Sequence, residues 1–201
     1  MPSVVISEKL VVRPPFRDSP RPDLPEIVID PGMAFGTGGH ETTRLACGLA
    51  LETLDSPPAG TPEINCAADI GCGTGVIAAA LVRCGCRHVD ACDLDPEAIK
   101  VSEEVLEANG ILGSINLLLG SANILRQSYP LVVANILSDK LLGIASDIYG
   151  CIAPGGVLVL SGILVEEKEA FLAAFLVECP VKLLDSVQEG EWLALRLQNE
   201  G

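Results

Sequence analysis

The chain has 201 residues, the length of one ordinary domain with at most a short appendage. Its 13 Lys and Arg against 27 Asp and Glu give a net charge of −14. So acidic a surface repels phosphate backbones, which argues against steady, direct binding to nucleic acid. Hydrophobic residues make up 49% of the chain and aromatic residues only 3%, which excludes wholesale disorder and predicts a core of Leu, Ile, Val and Ala.

The hydropathy pattern shows no membrane segment and no export signal. The longest uncharged apolar stretches, 108–125 and 148–165, are interrupted by Gly, Asn or Pro-Gly-Gly, which is not typical of a spanning helix. Eight cysteines lie mostly in apolar runs, so reduced, buried thiols are expected. The densest group, Cys84-Gly-Cys86-Arg-His88, lacks a second Cys/His pair at metal-site spacing, and no metal is expected. We therefore expect a cytoplasmic protein without membrane contacts.

The N-terminal segment 1–30 differs from the rest of the chain. Residues 11–12 and 27–29 predict short strands, and the prolines and arginines between them predict an extended, partly exposed arm. We place this arm at 1–30 and a single domain at 31–201. Leu and Ala at helical spacing then predict a helix over 41–54.

From residue 66 onwards, short aliphatic runs alternate with helical patterns. Strands are predicted at 66–70, 89–92, 115–119, 131–134 and 157–160, helices at 76–83, 96–109, 140–148 and 166–177, and a final hairpin at 181–186 and 192–197. The strands lack polar alternation, which is typical of a parallel sheet covered by helices. The predicted fold class is α/β, a doubly wound, mostly parallel seven-stranded sheet with a C-terminal antiparallel hairpin. Its ligand should lie at the carboxyl ends of the first, second and fourth core strands, where the strand order reverses.

A glycine-rich turn joins the first core strand to the next helix. It reads Asp69-Ile-Gly71-Cys-Gly73-Thr-Gly75, and its glycines allow the backbone to bend tightly and touch a ligand at a helix N-terminus. A dinucleotide fingerprint would need glycine at position 76, where Val76 stands. The spacing favours a ligand with an amino-acid zwitterion over one with a pyrophosphate. A purely structural tight turn is the alternative.

The second core strand ends in an acid. The spacing between Asp69 and Asp93 suits an acid at the second strand end whose carboxylate accepts hydrogen bonds from both ribose hydroxyls of an adenosine. Asp95, directly before Pro96, is interpreted as the N-cap of the next helix. A surface acid without a ligand is the alternative for Asp93. Together, the turn and this acid predict a ligand that contains adenosine.

Further motifs carry a family resemblance that covers about residues 4–197. They are Asp30-Pro-Gly-Met-Ala-Phe-Gly-Thr-Gly-Gly-His-Glu-Thr-Thr, Val132-Val-Ala-Asn-Ile-Leu, Ala153-Pro-Gly-Gly as a turn before the fifth strand, Leu160-Ser-Gly-Ile-Leu and Glu191-Trp. With the glycine turn, they resemble the class I S-adenosylmethionine-dependent methyltransferases and imply their Rossmann-like fold. The ordered set is similar to the PrmA family, which trimethylates amino groups of large-subunit ribosomal protein eleven.

The resemblance implies S-adenosyl-L-methionine as the cofactor and gives residues their roles. Thr43 would contact its methionine end, under a closing loop that carries Phe35 and Thr37. The turn at Gly71 would hold the methionine portion and Asp93 the ribose. The implied cofactor-binding set is Phe35, Thr37, Thr43, Asp69, Gly71, Gly73, Gly75, Asp93, Leu94 and Asn135.

Asn135, at the end of the fourth core strand, is the implied catalytic residue that faces the reacting amine. Methyl transfer is an in-line displacement, and positioning lowers such barriers by ~7–11 kcal/mol in well-oriented systems. An asparagine carbonyl and a neighbouring backbone carbonyl can accept the N–H groups of an amine without protonating it. The alternative for Asn135 is the N-cap of a following helix. His40 is expected to shape the loop by a hydrogen bond, with proton relay as the alternative.

Some positions depart from the family pattern. Gly39 and Glu41 stand where threonine and proline are usual, so a looser closing loop is expected. Pro130 replaces a common Asp before the fourth strand. The acid often found after the third strand is replaced by Ser121-Ala-Asn123, which leaves adenine recognition to Ser121 or Asn123.

The predicted function is S-adenosylmethionine-dependent N-methylation of lysine amino groups of a protein, with a ribosomal protein among the candidates. Only a short segment precedes the catalytic motifs, so the N-terminal domain with which relatives recognise the ribosomal substrate is expected to be absent. The alternatives are a methyltransferase for a small-molecule amine or other non-protein acceptor and a non-catalytic cofactor-binding protein. A nicotinamide oxidoreductase is opposed by Val76. The oligomeric state is left open.

Overall fold

The computed structural model describes residues 2–30 and 39–201, so Phe35 and Thr37 lie outside the described residues. The helices are α1 (Glu41–Asp55), α2 (Val76–Arg83), α3 (Pro96–Ala108), α4 (Ser138–Gly143), α5 (Ala145–Gly150) and α6 (Lys168–Glu178). The strands are β1 (Val4–Ile6), β2 (Leu10–Arg13), β3 (Glu26–Val28), β4 (Cys66–Ile70), β5 (His88–Asp93), β6 (Ile115–Leu119), β7 (Tyr129–Asn135), β8 (Ile152–Leu164), β9 (Lys182–Glu189) and β10 (Trp192–Gln198).

Seven strands form one sheet in the order β6-β5-β4-β7-β8-β10-β9. Neighbours from β6 to β8 pair in parallel, whereas β10 is antiparallel to both β8 and β9. This confirms the predicted doubly wound sheet with its C-terminal hairpin. The winding direction reverses between β4 and β7, and the carboxyl ends of these strands border the crevice in which such sheets bind ligands.

Helices cover both faces of the sheet because the central strands alternate their aliphatic side chains between two cores. On β7, Leu131 and Val133 belong to the core of α1, α2 and α3, while Val132 and Ala134 belong to the core of α4, α5 and α6. All four side chains are fully buried, which confirms the prediction of strands without a polar face. Within the described part of the chain, no helix has the length and apolar character needed to cross a membrane.

The N-terminal residues form a second, three-stranded sheet in which β2 is antiparallel to β1 and parallel to β3. Leu10, Val12 and Ile27 of this sheet are fully buried in the core that includes α1. Asn109, after α3, continues the sheet, because its Oδ1 accepts from the Val28 N–H at 2.9 Å and its Nδ2 donates to the Val28 carbonyl at 2.8 Å. The segment is therefore anchored on the larger domain. The boundary at residue 30 stays a prediction.

The ends of two helices show how local sequence sets the elements around the crevice. Asp95 caps α3 as predicted, since its side chain accepts from the Glu97 N–H at 2.9 Å and Pro96 occupies the first turn. The helical pattern predicted over 140–148 is confirmed but divided between two short helices, because α4 ends at Gly143 and α5 begins at Ala145. Glycine has a low helix propensity, which accounts for the break at this point.

The turn predicted in the Ala-Pro-Gly-Gly segment is part of β8 in the structure. Tyr129 pairs with Ile152 and Leu131 with Val157, so the four residues between the two pairs on β8 bulge opposite Pro130. Proline has no N–H to donate to the ladder. The segment therefore forms an irregular stretch inside a long strand rather than a turn before it.

Candidate active site

The glycine turn after β4 brings the backbone to the carboxyl end of the sheet. Gly71, Gly73 and Gly75 have φ values of +73°, +56° and +73°, a region that residues with a Cβ rarely adopt. The Gly75 N–H donates to the Cys72 carbonyl at 2.8 Å, and Gly75 directly precedes α2. The turn thus delivers the first backbone N–H groups of α2 to the crevice.

Asp69 lies beneath this turn and is fully buried. Its Oδ2 accepts from the Ala78 N–H at 3.0 Å, which ties β4 to α2, and its Oδ1 has no hydrogen-bond partner among the described residues. Burial raises the pKa of Asp69 to about 7, although the hydrogen bond from Ala78 acts in the opposite direction. Asp69 does not line the cavities beside the turn. It therefore supports the turn from below.

Asp93 ends β5 beside the same turn. Its Oδ2 accepts from the Gly73 N–H at 2.9 Å and its Oδ1 from the Asp95 N–H at 3.0 Å. A carboxylate offers about four lone-pair sites. The two backbone hydrogen bonds therefore hold the group in place and leave capacity for two further donors, such as a pair of adjacent hydroxyls.

Two cavities adjoin the turn, one on each side of Gly71 and Ile136, which line both. The Asn135 cavity, of about 490 Å³, is lined by His40, Thr42, Thr43, Gly71, Cys72, Gly73, Thr74, Val76, Ile77, Asn135, Ile136, Leu137, Gly162 and Trp192. The Asp93 cavity, of about 480 Å³, is lined by Ile70, Gly71, Asp93, Leu94, Gly120, Ser121, Ile136, Asp139, Lys140, Gly143 and Ile144. An ideal Cβ at Gly71 would lie 2.4 Å from Cγ2 of Ile136, so only glycine fits where the two cavities meet.

Asn135 ends β7 with its side chain held by α1. Its Nδ2 donates to Oγ1 of the buried Thr43 at 3.4 Å. Among the described residues, none donates a hydrogen bond to its Oδ1. The alternative that Asn135 caps the following helix is wrong, because α4 begins at Ser138 and its N-cap is Leu137. The amide oxygen is therefore available to a ligand in the cavity.

The next residue adds a backbone acceptor. The Ile136 carbonyl accepts no backbone hydrogen bond from the described part of the chain. It lies close to Gly162 of β8, which lines the same cavity. Two neighbouring residues thus provide two oxygens without donors, and such a pair suits a ligand that carries two N–H groups.

His40 and Trp192 lie together at the Asn135 cavity. Their ring centroids are 5.5 Å apart with the planes inclined by 65°. His40 is the N-cap of α1, and its Nδ1 lies 2.9 Å from Oγ1 of Thr42. His40 therefore caps α1, and its predicted role in shaping the loop stays a prediction. Arg44, one turn further along α1, donates to both carboxylate oxygens of Glu189 at 3.1 Å and so joins α1 to β9.

The residues present fit S-adenosyl-L-methionine in three respects. The backbone at Gly71 leaves a cradle that a Cβ would fill, Asp93 retains acceptor capacity for two hydroxyls, and two cavities of similar volume meet at the turn. An S-adenosylmethionine-dependent methyltransferase from Clostridium acetobutylicum has the same fold, with a TM-score of 0.65 and 12% identity over 82% of this chain and 94% of that one. The likeness shows that the chain has the Rossmann-like fold, and the crevice at the carboxyl end of its sheet fits this cofactor.

Sequence comparison identifies the family. The chain belongs to the family described as Ribosomal protein L11 methyltransferase (PrmA), whose sequence model matches residues 2–200. The ribosomal protein L11 methyltransferase of Geobacter sulfurreducens is 40% identical over 197 residues, which are 98% of this chain and 62% of that protein. The chain thus spans less than two thirds of the length of this curated relative.

A solved structure from the same family matches the whole described fold. The ribosomal protein L11 methylase from Lactobacillus delbrueckii subsp. bulgaricus has a TM-score of 0.85 and 27% identity, and the match covers 99% of this chain and 98% of that one. The three-stranded N-terminal sheet is therefore included in the matched region.

The structure brings most of the predicted site residues together at one end of the sheet. Thr43, Gly71 and Asn135 line one cavity, and Asp93 and Leu94 line the other. Their binding roles stay predictions, as do those of the residues outside the described ranges.

Sequence reasoning gave no role to several residues that line the cavities. Ile136 separates the two cavities, Trp192 meets His40, and Lys140 lines the Asp93 cavity. Ile136 and Trp192 lie within motifs of the family resemblance, but only the folded chain brings them to the crevice. Of the two residues proposed for adenine, Ser121 lines the Asp93 cavity, whereas Asn123 is not among its lining residues.

Proposed function

We propose that the chain is an S-adenosylmethionine-dependent N-methyltransferase that acts on lysine amino groups of a protein. The observation that carries this proposal is the pair of oxygens without donors, Asn135 Oδ1 and the Ile136 carbonyl, in a cavity that opens on the glycine turn. Such a site needs no side chain that acts as an acid or base on the amine. Its two oxygens can accept hydrogen bonds from a neutral amine and so orient it.

The two cavities account for the two halves of the cofactor. The ribose hydroxyls would bind the remaining lone pairs of Asp93, and the adenine would lie against Leu94, whose side chain is 73% exposed. Ser121 lines the same cavity and offers a polar group to the adenine edge. The methionine portion would pass Gly71 into the Asn135 cavity and reach Thr43. Bound there, the cofactor supplies an electrophilic methyl group on a sulfonium.

Phe35 and Thr37 would belong to a loop that closes over the methionine end. The motif that contains them continues to Thr43, and its residues His40, Thr42 and Thr43 line the Asn135 cavity.

In this site Asn135 and Ile136 would hold the acceptor amine. Each oxygen accepts one N–H of the neutral amine, so the nitrogen lone pair is left free to attack the methyl group. Thr43 holds Nδ2 of Asn135, which keeps the oxygen end of the amide toward the cavity. A lysine amine has a reference pKa of ~10.4 and must lose a proton to water before reaction. The apolar side chains of Val76 and Ile77 favour the neutral form.

The acceptor that we propose is a protein, and ribosomal protein L11 is the first to test because the relatives carry its name. The net charge of −14 favours a basic partner and opposes direct binding to nucleic acid. The eight cysteines are free thiols and six of them are buried. They fit a reducing compartment, and we propose a cytoplasmic location without membrane contacts.

Transfer of a labelled methyl group tests the function directly. The chain is incubated with methyl-labelled S-adenosylmethionine and recombinant ribosomal protein L11, and mass spectrometry counts the methyl groups on each lysine. We expect label on L11 and a loss of about 100-fold in rate for Asn135→Ala, since the amine is no longer oriented. The matched control is Asn65→Ala, at the amino end of the sheet. No label on L11, with label on small amines, would favour the non-protein acceptor; no transfer at all would favour a cofactor-binding protein.

A further inference from the structure

β8 contains a bulge beside the Asn135 cavity. On the neighbouring strand β10, Ala194 pairs with Ser161 and Leu193 with Ile163, so Gly162 is an extra residue without a partner in this ladder. Gly162 has a φ of +86°, a left-handed conformation that glycine adopts far more readily than residues with a Cβ. Such bulges occur next to active sites, where they change the direction of neighbouring groups.

The bulge brings Gly162 against the peptide group that follows Asn135. An ideal Cβ at Gly162 would lie 2.4 Å from the carbonyl oxygen of Ile136 and 2.8 Å from its carbonyl carbon. Ordinary contacts of a Cβ begin at 3.4 Å. Because both atoms belong to the backbone, a side-chain rotation cannot relieve the contact. Any larger residue at this position requires the Ile136 carbonyl to move by about 1 Å, from 2.4 to 3.4 Å.

A second glycine, Gly190, offers a control that distinguishes the effect of the Cβ contact from the effect of an unfavourable φ. Gly190, in the turn between β9 and β10, has a φ of +60°, and an ideal Cβ there would meet no atom within 4 Å in the described part of the chain. An alanine at Gly190 therefore introduces a similar unfavourable φ without a contact. Gly190 does not line either cavity of the site.

We propose that Gly162 is a positioning residue: by leaving its Cβ position empty, it lets the Ile136 carbonyl lie beside Asn135, where both oxygens hold the acceptor amine. This inference rests on the proposed N-methyltransferase function. Gly162 has no side chain with which to bind the reacting atoms and acts through Ile136. Asp93, the residue proposed for the ribose, lies on β5 and is held by the Gly73 and Asp95 N–H groups, apart from the bulge.

A side chain at position 162 should disturb the orientation of the acceptor amine and leave the affinity for the cofactor unchanged. A misplacement of about 1 Å lowers the rate of an oriented reaction by about 100-fold. For Gly162→Ala we expect kcat to fall by about 10- to 100-fold, whereas KM for the acceptor rises by less than about fivefold, since Asn135 still binds the amine. The Kd for S-adenosylhomocysteine should stay within about threefold of wild type.

The experiment compares Gly162→Ala, Gly190→Ala and the wild-type chain. Methyl transfer to ribosomal protein L11 gives kcat and KM, and calorimetry with S-adenosylhomocysteine gives Kd without reference to activity. The expected result is a loss of kcat for Gly162→Ala alone, with Kd unchanged. If Gly162→Ala is unfolded in a thermal scan, Gly162→Asn replaces it, because Asn tolerates positive φ best among residues with a Cβ.

Three results would overturn the proposal. A Gly162 variant with kcat within twofold of wild type shows that the Ile136 carbonyl needs no such space. A loss of S-adenosylhomocysteine affinity as large as the loss of kcat shows a general structural role. A wild-type chain that transfers no methyl group overturns the proposed function, and the positioning role with it, whatever the variants do.

Discussion

The two faces of the parallel sheet hold their buried carboxylates in opposite ways. On the face covered by α4, α5 and α6, the carboxylate of Asp90 on β5 has four side-chain hydrogen-bond partners: His88, Asn116, Gln127 and Tyr129. On the face covered by α1, α2 and α3, Asp69 accepts one hydrogen bond and keeps one oxygen without a partner among the described residues.

The difference separates a cluster that stabilises the fold from a residue that supports the glycine turn of the candidate site. Burial opposes the ionisation of Asp90, but the hydrogen bonds from Tyr129, Asn116 and His88 hold its pKa below its usual value. Burial raises the pKa of Asp69 to about 7. The carboxylate of Asp90 has all its acceptor capacity taken by the surrounding side chains. Asp69 keeps an unsatisfied acceptor beneath the glycine turn, which lowers the stability of the free protein.

The largest expected effect is the pH-dependent stabilisation that Asp69→Asn should produce. The pKa of Asp69 in the folded chain, about 7, lies above its ordinary value of 3.8, so the folded state holds the proton more tightly than the unfolded state. Wild-type stability should therefore lose this contribution as pH rises from about 4 to 7. Asn keeps an acceptor for Ala78 and carries no charge, so the variant should exceed wild type by up to about 4 kcal/mol at pH 8 relative to pH 4.

Urea unfolding of both proteins at pH 4 and pH 8 measures this difference. Because each free energy is compared with that of the other protein at the same pH, contributions from the remaining carboxylates cancel. A difference between the two proteins that is the same at both pH values would contradict an elevated pKa for Asp69.

On the other face of the sheet, Asp90→Ala should destabilise the fold without affecting the binding of the cofactor. Removal of the carboxylate leaves buried donors unpaired, Tyr129 among them, and we expect a loss of about 3 kcal/mol in the free energy of unfolding. The Kd for S-adenosylhomocysteine should not change. The control is Glu103→Ala, an exposed acid on α3. Weaker cofactor binding by Asp90→Ala would show that the Asp90 cluster and the candidate site are not independent.

Asp93→Asn should give the reverse pattern. The variant retains one acceptor oxygen for the backbone N–H groups but loses the charge and the second oxygen that would bind the ribose. We expect the Kd for S-adenosylhomocysteine to rise by about 30-fold, or about 2 kcal/mol, with less than about 1 kcal/mol lost in stability. Calorimetry and urea unfolding report the two quantities. An unchanged Kd would exclude Asp93 as the ribose-binding acid.

The smallest expected effect concerns the support of the glycine turn. The hydroxyl of the buried Ser102 donates to the Gly73 carbonyl at 2.8 Å. Ser102→Ala should reduce stability by about 1 kcal/mol and raise the Kd for S-adenosylhomocysteine by about threefold, since the turn is held less firmly. A matched change away from the crevice is Ser114→Ala, in the short 3-10 helix after α3. Equal effects of the two changes on Kd would show that the turn needs no such support.

The sequence predicted the parts of the site that depend on local chemistry. The glycine turn, the acid that ends β5 and the cap at Asp95 are each specified by a few adjacent residues, and the strand order follows from the alternation of strands and helices. The prediction missed the break after Gly143 and the irregular stretch opposite Pro130. Each depends on a weak local preference, of glycine in a helix or proline in a strand, whose effect is decided by packing against the surrounding sheet.

The parts that the sequence could not predict depend on contacts between distant segments. Ile136 meets Gly71, which lies far earlier in the chain, and Gly162, which lies well after it, only when β7 lies between β4 and β8. Trp192 reaches His40 because β10 inserts between β8 and β9. Periodicity and spacing carry no information on such contacts, since they describe each element by itself.

A crystal structure of the chain with S-adenosylhomocysteine tests the central claim most directly, namely that the carboxyl ends of β4, β5 and β7 form the cofactor site. We expect the ribose hydroxyls on the carboxylate of Asp93, the adenine in the Asp93 cavity, and the homocysteine portion past Gly71 in the cavity of Asn135. Ligand bound elsewhere on the sheet, or with its ribose away from Asp93, would exclude this site.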